Sequence, residues 1–140
     1  MITAVLDTNV VVSSLLQPSG VPGMIVAQWK SGAFTVALSD LLLEEIADVL
    51  QRPVLRRTAK ITLEQIAEFV QLLRETSILA NEPLKIVPVV TKDPDDDIVL
   101  ATAVATNADV IVSGDKHLTD LTKYKGIPIV TPREFLELLA

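Results

Sequence analysis

Cysteine is absent from the 140-residue chain, and histidine occurs once, as His117. The absence of cysteine excludes disulfide bonds, thiolate zinc sites and cysteine nucleophiles. The single histidine excludes any mechanism that needs two histidines, or a histidine base far from residue 117. Any chemistry carried out by this chain must therefore depend on carboxylates, hydroxyl groups, lysine and arginine.

Long apolar runs and an excess of basic residues are also missing. The N-terminus reaches an acid, Asp7, without a preceding basic segment, so the sequence lacks the pattern of a signal peptide or a membrane span. We therefore expect a cytoplasmic protein with no membrane partner. Twelve Lys and Arg against 18 Asp and Glu give a net charge of −6. This balance argues against a tight non-specific nucleic-acid binder, but less against an enzyme whose acids hold divalent cations, because bound metal restores positive charge.

The order of apolar patterns alternates between strands and helices. The length fits one domain spanning residues 1–140, and 49% hydrophobic residues allow a real core. Short apolar runs predict strands at residues 2–6, 34–38, 84–87, 110–112 and 127–130. Helical patterns lie between them, and capping boxes at Thr62 and Thr131 open two of the helices. This order predicts an α/β fold of three layers, α/β/α, around a mostly parallel sheet of roughly five strands.

Acids follow two of the predicted strands directly. Ligands bind at the carboxyl ends of parallel strands, which is where Asp7 and, after Ser113-Gly114, Asp115 stand. Either acid alone is most simply a helix cap. If the two strands are neighbours, both carboxylates reach the same edge of the sheet, and this favours a site.

Glu45 is the candidate acid of the helix after the second strand. Leu41, Leu42 and Val49 lie at helical spacing around it, so it is predicted to face the core while Glu44 faces water. A core-facing carboxylate is costly unless it is paired, protonated or bound to metal. An ion pair with an arginine is the alternative to a functional role.

The densest acidic run spans residues 93–97, with proline as its second residue. Acids in the first turn of a helix favour the helix dipole and are usually solvated. Asp93 is expected to be the N-cap and Asp95 to face solvent. Asp96 has a slightly more apolar face than Asp97 and is the preferred site residue, although periodicity leaves both open.

A cluster of acids at one edge of a sheet needs a physical reason. Four acids form the predicted cluster: Asp7, Glu45, Asp96 and Asp115. Carboxylates packed closely cannot all stay ionised without a cation. Oxygen ligands suit Mg²⁺ or Mn²⁺, and such ions can promote phosphodiester hydrolysis. Thr8, Asn9 and Ser113 lie beside the acids and are possible supporting groups, although Thr8 and Asn9 could equally be caps.

These motifs resemble those of PIN domains. Asp7-Thr8-Asn9 after an N-terminal strand resembles the opening motif, and Ser39 followed six residues later by Glu45-Ile46 resembles the second acid. Residues 96–103 resemble the third motif, whose Ala-Thr-Ala end aligns the family acid with Asp96 rather than Asp97. Ser113-Gly114-Asp115 resembles the fourth. The resemblance spans roughly residues 2 to 130.

The resemblance is closest to PIN-family toxins of toxin–antitoxin systems, which include the VapC-like proteins. It implies a Mg²⁺- or Mn²⁺-dependent endoribonuclease that cleaves RNA, is often a homodimer and is held inactive by a cognate antitoxin protein. The alternatives are a PIN-like module that binds RNA or protein without cutting it, and a structural domain whose acids are caps. A haloacid-dehalogenase-like phosphatase is disfavoured, because Asn9 stands where that family has a second Asp.

Several other features have open interpretations. Two basic stretches could contact an RNA backbone, although surface basic residues are usually just solvated. They are Arg52, Arg56, Arg57 and Lys60, and then Lys116, Lys123 and Lys125. His117 could approach phosphate, but a surface or helix-packing role is the simpler interpretation. An apolar stripe is expected in the core, with a contribution to a dimer as the alternative: Ile66, Phe69, Val70 and Leu73.

Overall fold

A six-stranded sheet lies at the centre of the computed structural model, which describes residues 1–81, 83–89 and 93–140. Its strands are β1 (Thr3–Leu6), β2 (Thr35–Leu38), β3 (Ile78–Leu79), β4 (Val110–Val112), β5 (Lys123–Tyr124) and β6 (Ile127–Val130). The strand order is β3-β2-β1-β4-β6-β5. Neighbouring strands are parallel except β5 and β6, which are antiparallel. The predicted mostly parallel sheet is confirmed, with six strands in place of roughly five.

Helices connect the strands and complete a three-layer α/β/α fold, as predicted. They are α1 (Thr8–Leu16), α2 (Val21–Lys30), α3 (Asp40–Leu50), α4 (Pro53–Ala59), α5 (Leu63–Thr76), α6 (Pro94–Ala105), α7 (Lys116–Thr119) and α8 (Pro132–Leu139). Ser39 caps α3 by accepting a hydrogen bond from the Leu42 amide. The capping boxes at Thr62 and Thr131 are both formed. Polar caps therefore set the start of these helices, where backbone N–H groups would otherwise lack partners.

The prediction of a strand at residues 84–87 is wrong. The third strand is instead Ile78–Leu79, which pairs in parallel with β2 directly after α5. Residues 84–87 form no strand. Pro83 and Pro88 flank them, and proline cannot donate a ladder hydrogen bond. The prediction rested on apolar composition alone, and it therefore put the third strand at the wrong residues.

Two short elements, α4 and β5, were not predicted from the sequence. Pro53 can be read from the sequence as the end of the preceding helix, but it occupies the first turn of α4, where a missing N–H costs nothing. The two-residue strand β5 pairs with β6 through a tight turn at Lys125 and Gly126, which both have positive φ. Elements this short carry too little periodicity to be detected from the pattern.

The core lies between the sheet and the helices. Residues 4–6 of β1 are buried, and Phe34 packs edge-on against Phe135 of α8 with ring centroids 4.9 Å apart. In the apolar stripe of α5, Ile66 and Leu73 are buried and the two residues between them are partly buried against the same core. The stripe is therefore part of the core, which is the interpretation favoured from the sequence.

Length and apolar composition decide whether a helix could span a membrane. No single helix in the described ranges is long and apolar enough to cross a membrane. Helices α1 and α2 satisfy length and composition only when they are taken together, and the chain bends by 100° between them. Buried core helices commonly have the same composition.

Candidate active site

Strands β1 and β4 are parallel neighbours, and this places two predicted acids at one edge of the sheet. Leu6 is in register with Val112, and the Asp7 amide continues the ladder by donating to the Val112 carbonyl oxygen at 2.9 Å. Asp7 and Asp115 therefore follow adjacent strand ends, as the sequence analysis required for a site.

Asp7 is buried and does not act as a helix cap. It occupies the N-cap position of α1, but its side chain makes no capping hydrogen bond. Its Oδ2 instead accepts a hydrogen bond from Ser113 Oγ at 2.7 Å, and Ser113 Oγ accepts one from the Asp115 amide at 2.9 Å. Ser113, predicted as a supporting group, thus joins the two acids.

Asp115 serves both as a cap and as a site residue. Its Oδ1 accepts a hydrogen bond from the His117 amide at 2.8 Å and caps α7. The same carboxyl group lies beside Asp96 and raises the pKa of that residue. The cap interpretation from the sequence is therefore correct for Asp115, but it does not account for the whole residue.

Glu45 faces inward, and Glu44 is exposed, as predicted. Thr8 Oγ1 donates a hydrogen bond to Glu45 Oε2 at 2.8 Å. This contact links the first turn of α1 to α3. Asp95 is exposed, as expected, yet it lies close enough to Glu45 to affect its pKa.

Asp96 and Asp97, which periodicity could not separate, have different surroundings. Both are buried. Asp97 Oδ1 accepts a hydrogen bond from the Val89 amide at 3.0 Å and so holds the segment before α6. Asp96 lies beside Asp115, and its buried Oδ2 has no hydrogen-bond partner among the described residues. Asp96 is therefore the one of the two that points into the cluster.

The electrostatics of the cluster favour protonated acids when no cation is present. Burial raises the pKa of Asp96 to about 8, and Asp115 adds to the effect. Burial also raises the pKa of Glu45 to about 7, although the hydrogen bond from Thr8 acts in the opposite direction. Burial raises the pKa of Asp7 above its ordinary value, with Ser113 opposing and Asp115 reinforcing the shift. A bound cation would replace these protons as the compensating charge.

Among the described residues, three side chains form a group of potential metal ligands: Asp96, Asp115 and His117. One ligand atom from each lies within 4.8 Å of the other two. Asp7 and Glu45 are not part of this group, although the charge of Asp7 contributes to the raised pKa of both Asp96 and Glu45. The unpartnered Asp96 oxygen and the oxygen-rich donor set fit a divalent cation. Asn9 is exposed on α1.

Sequence reasoning missed three contributors to this region. His117 and Asp95 are exposed, as expected, but their position beside the acids was not predicted. The available signal was geometric, since side chains in the first turn of a helix lean toward its N-terminus and so toward the strand ends. The third contributor that was not predicted is Thr102 of α6. Its Oγ1 lies 2.8 Å from Ser39 Oγ in the core, and this hydrogen bond connects α6 to the start of α3.

Comparison with known proteins identifies the family. Residues 3–117 match the PIN domain model, and the chain belongs to the PIN domain family. The uncharacterized protein MJ1680 of Methanocaldococcus jannaschii is 30% identical over 144 residues, which cover 97% of this chain and 90% of that protein. The crystal structure of PAE2754 from Pyrobaculum aerophilum superposes with a TM-score of 0.62 at 14% identity, covering 99% of this chain and 89% of that one. This likeness supports the fold, and the family implies a nuclease-type function that usually depends on a divalent metal.

Proposed function

We propose that this chain is a metal-dependent endoribonuclease that hydrolyses RNA phosphodiester bonds. Its catalytic and metal-binding acids in this proposal are Asp7, Glu45, Asp96 and Asp115. The observation that carries the proposal is the buried, unpartnered oxygen of Asp96 beside a second carboxyl group. Such an arrangement destabilises a protein unless something compensates for it, and perturbed acids of this kind cluster at functional sites.

Asp96 and Asp115 are the acids best placed to hold Mg²⁺ or Mn²⁺. Bound between them, such an ion would activate water and stabilise the charge that develops on phosphate oxygens. Ser113 holds Asp7 and the Asp115 backbone in fixed positions through its hydroxyl group. The protein therefore fixes its ligands before the cation arrives, which reduces the cost of binding.

Glu45 is suited to proton transfer. Its pKa of about 7 means that it exchanges a proton near neutral pH, which is the range where a general acid or base works best. Thr8 donates to Oε2 and so holds the carboxyl group in place. Lys116, which is exposed directly after Asp115, is a candidate for contact with the RNA backbone.

The finer part of the proposal is a toxin role. A cognate antitoxin protein as partner and a homodimer as the working form rest on the motif resemblance alone. Induced expression of wild type beside Asp7→Asn in a bacterial host tests this part. Growth arrest by wild type only would support a toxin. Normal growth with an active purified enzyme would contradict the toxin role and leave the nuclease intact.

The test of the nuclease is cleavage of a single-stranded RNA panel with Mn²⁺, with Mg²⁺ and with chelator. We expect Asp7→Asn and Glu45→Gln to lose roughly 10²-fold or more of the activity. Glu44→Gln is the matched control, because it changes the same charge one residue away on the exposed face of α3. Retention of RNA without metal-dependent cutting would favour the non-catalytic binding module. Equal cutting by wild type and both site variants would point to a contaminant and contradict the proposal.

A further inference from the structure

The single histidine of the chain lies beside the acidic cluster. We infer that His117 contributes a nitrogen ligand to the metal site, which gives that site a preference for Mn²⁺ over Mg²⁺. The inference deepens the proposed function and rests on it only in requiring that the site hold a divalent cation. It adds a residue that the acid motifs do not contain.

The cap of α7 places the His117 backbone beside Asp115. Because Asp115 Oδ1 accepts the His117 amide hydrogen bond, the imidazole is attached to the same short turn as Asp115. His117 Nδ1 lies 3.6 Å from Asp115 Oδ1, which is beyond the distance of a normal hydrogen bond. This separation suits an ion pair when the imidazole is protonated, and when the imidazole is neutral it leaves both atoms close enough to bind one ion.

The third member of the group supplies independent support. Asp96 is 3% exposed, and its Oδ2 has no hydrogen-bond partner among the described residues. A ligand atom from each of Asp96, Asp115 and His117 falls within 4.8 Å of the other two. An oxygen that is buried without a partner is costly, and an ion bound between these three groups would satisfy it.

The exposure of His117 is compatible with this role. Its side chain is 51% exposed, whereas that of Asp115 is 18% exposed. The imidazole therefore lies at the open side of the group, where ring rotation can bring a nitrogen toward an ion without disturbing the core. The buried acid would form the floor of the site and the histidine its rim.

The ligand set predicts metal preference. Mg²⁺ is a hard cation that favours oxygen ligands and keeps several waters, so an imidazole adds little to its binding. Mn²⁺ is the weakest binder of the first-row transition ions, which take imidazole ligands, but it still gains more from a nitrogen ligand than Mg²⁺, which dehydrates reluctantly. We expect His117→Gln to weaken Mn²⁺ binding about tenfold and Mg²⁺ binding less than about twofold.

Pulsed electron paramagnetic resonance of bound Mn²⁺ tests the inference without using activity. The protein is prepared without a histidine tag and with ¹⁵N-labelled histidine, so the label enters at residue 117 alone. We expect the hyperfine coupling of a directly bound nitrogen in wild type. It should change with the isotope and be lost in His117→Gln, which still binds Mn²⁺.

Two results would overturn the inference, and they differ in what else they affect. Mn²⁺ bound without nitrogen coupling would remove His117 from the site and leave the proposed nuclease standing. Failure of wild type to bind Mn²⁺ in a titration would contradict both the inference and the proposed function. Asp120→Asn, which removes an exposed acid at the end of α7, is the control that should keep both binding and coupling.

Discussion

Replacement of Asp96 by asparagine should stabilise the metal-free protein at pH 8. In the folded state the pKa of Asp96 is about 8, against an ordinary value of 3.8. Between these values the folded state retains a proton that the unfolded state has released, so stability falls as the pH rises from about 4 to 8. Asparagine does not ionise, and its amide can donate to the neighbouring Asp115 carboxylate. The variant therefore avoids the loss that wild type undergoes.

The size of the effect follows from the shift in pKa. A shift of this kind corresponds to about 1.4 kcal/mol per unit, but the cluster opens to solvent at Asp115 and His117, and screening reduces the value. We expect a net gain of about 2 kcal/mol at pH 8. For a chain of 140 residues, that gain raises Tm by roughly 5–8 °C.

The assay is thermal unfolding of both proteins in chelator at pH 5 and pH 8. At pH 5 only a small part of the loss has occurred, because the pH is close to the ordinary pKa of 3.8, so the two Tm values should differ much less than at pH 8. Added Mn²⁺ should give wild type the higher Tm at pH 8, because wild type keeps the Asp96 ligand and therefore gains more free energy from Mn²⁺ binding than Asp96→Asn does. Asp120→Asn, an exposed substitution, should change little at either pH. An Asp96→Asn protein that unfolds at a lower temperature at both pH values would refute the reasoning and make Asp96 a structural residue.

The remaining predictions concern the groups that support the site and one packing contact. Ser113→Ala removes the hydroxyl that joins Asp7 to the Asp115 backbone, and should weaken Mn²⁺ binding in a titration about tenfold. Thr8→Val removes the donor that lowers the pKa of Glu45, so the acid limb of the cleavage–pH profile should move up by about 0.7 units, whereas Thr8→Ser should not move it. Gly23→Ala would press a methyl group into the Pro18 backbone and should cost about 1–3 kcal/mol in a denaturant melt. Gly114→Ala meets open space and should change stability by less than about 0.5 kcal/mol; equal losses in the two glycine variants would contradict the packing argument.

Most of the fold could be predicted from the sequence, because its signals are local. The strands before Asp7 and Asp115 are continuous apolar runs, as expected for strands buried on both faces. Proline explains the main errors, since the same residue opens α4 at Pro53 and excludes a strand beside Pro83. A proline changes meaning with its position in an element, and that position is known only once the neighbouring elements are placed.

The site was less predictable, because its contacts join distant parts of the chain. Adjacency in sequence placed Thr8 and Ser113 beside acids, but Thr8 bonds to Glu45, which is 37 residues away. Ser113 bonds to Asp7 across 106 residues. Helical periodicity leaves Asp96 and Asp97 equivalent, and only the course of the chain before α6, which brings Val89 to Asp97, separates them.

The dual role of Asp115 determines which substitutions can test the site. Its carboxyl group caps α7 and also faces Asp96, so a loss of function in an Asp115 variant could come from a disordered turn as readily as from a missing ligand. Asp7 has no capping bond, and Asp96 Oδ2 has no partner among the described residues. Substitutions at these two positions leave the cap of α7 intact. An acid at a strand end can therefore cap a helix and belong to the site at the same time. The acids that do not cap a helix provide the cleaner test of metal binding.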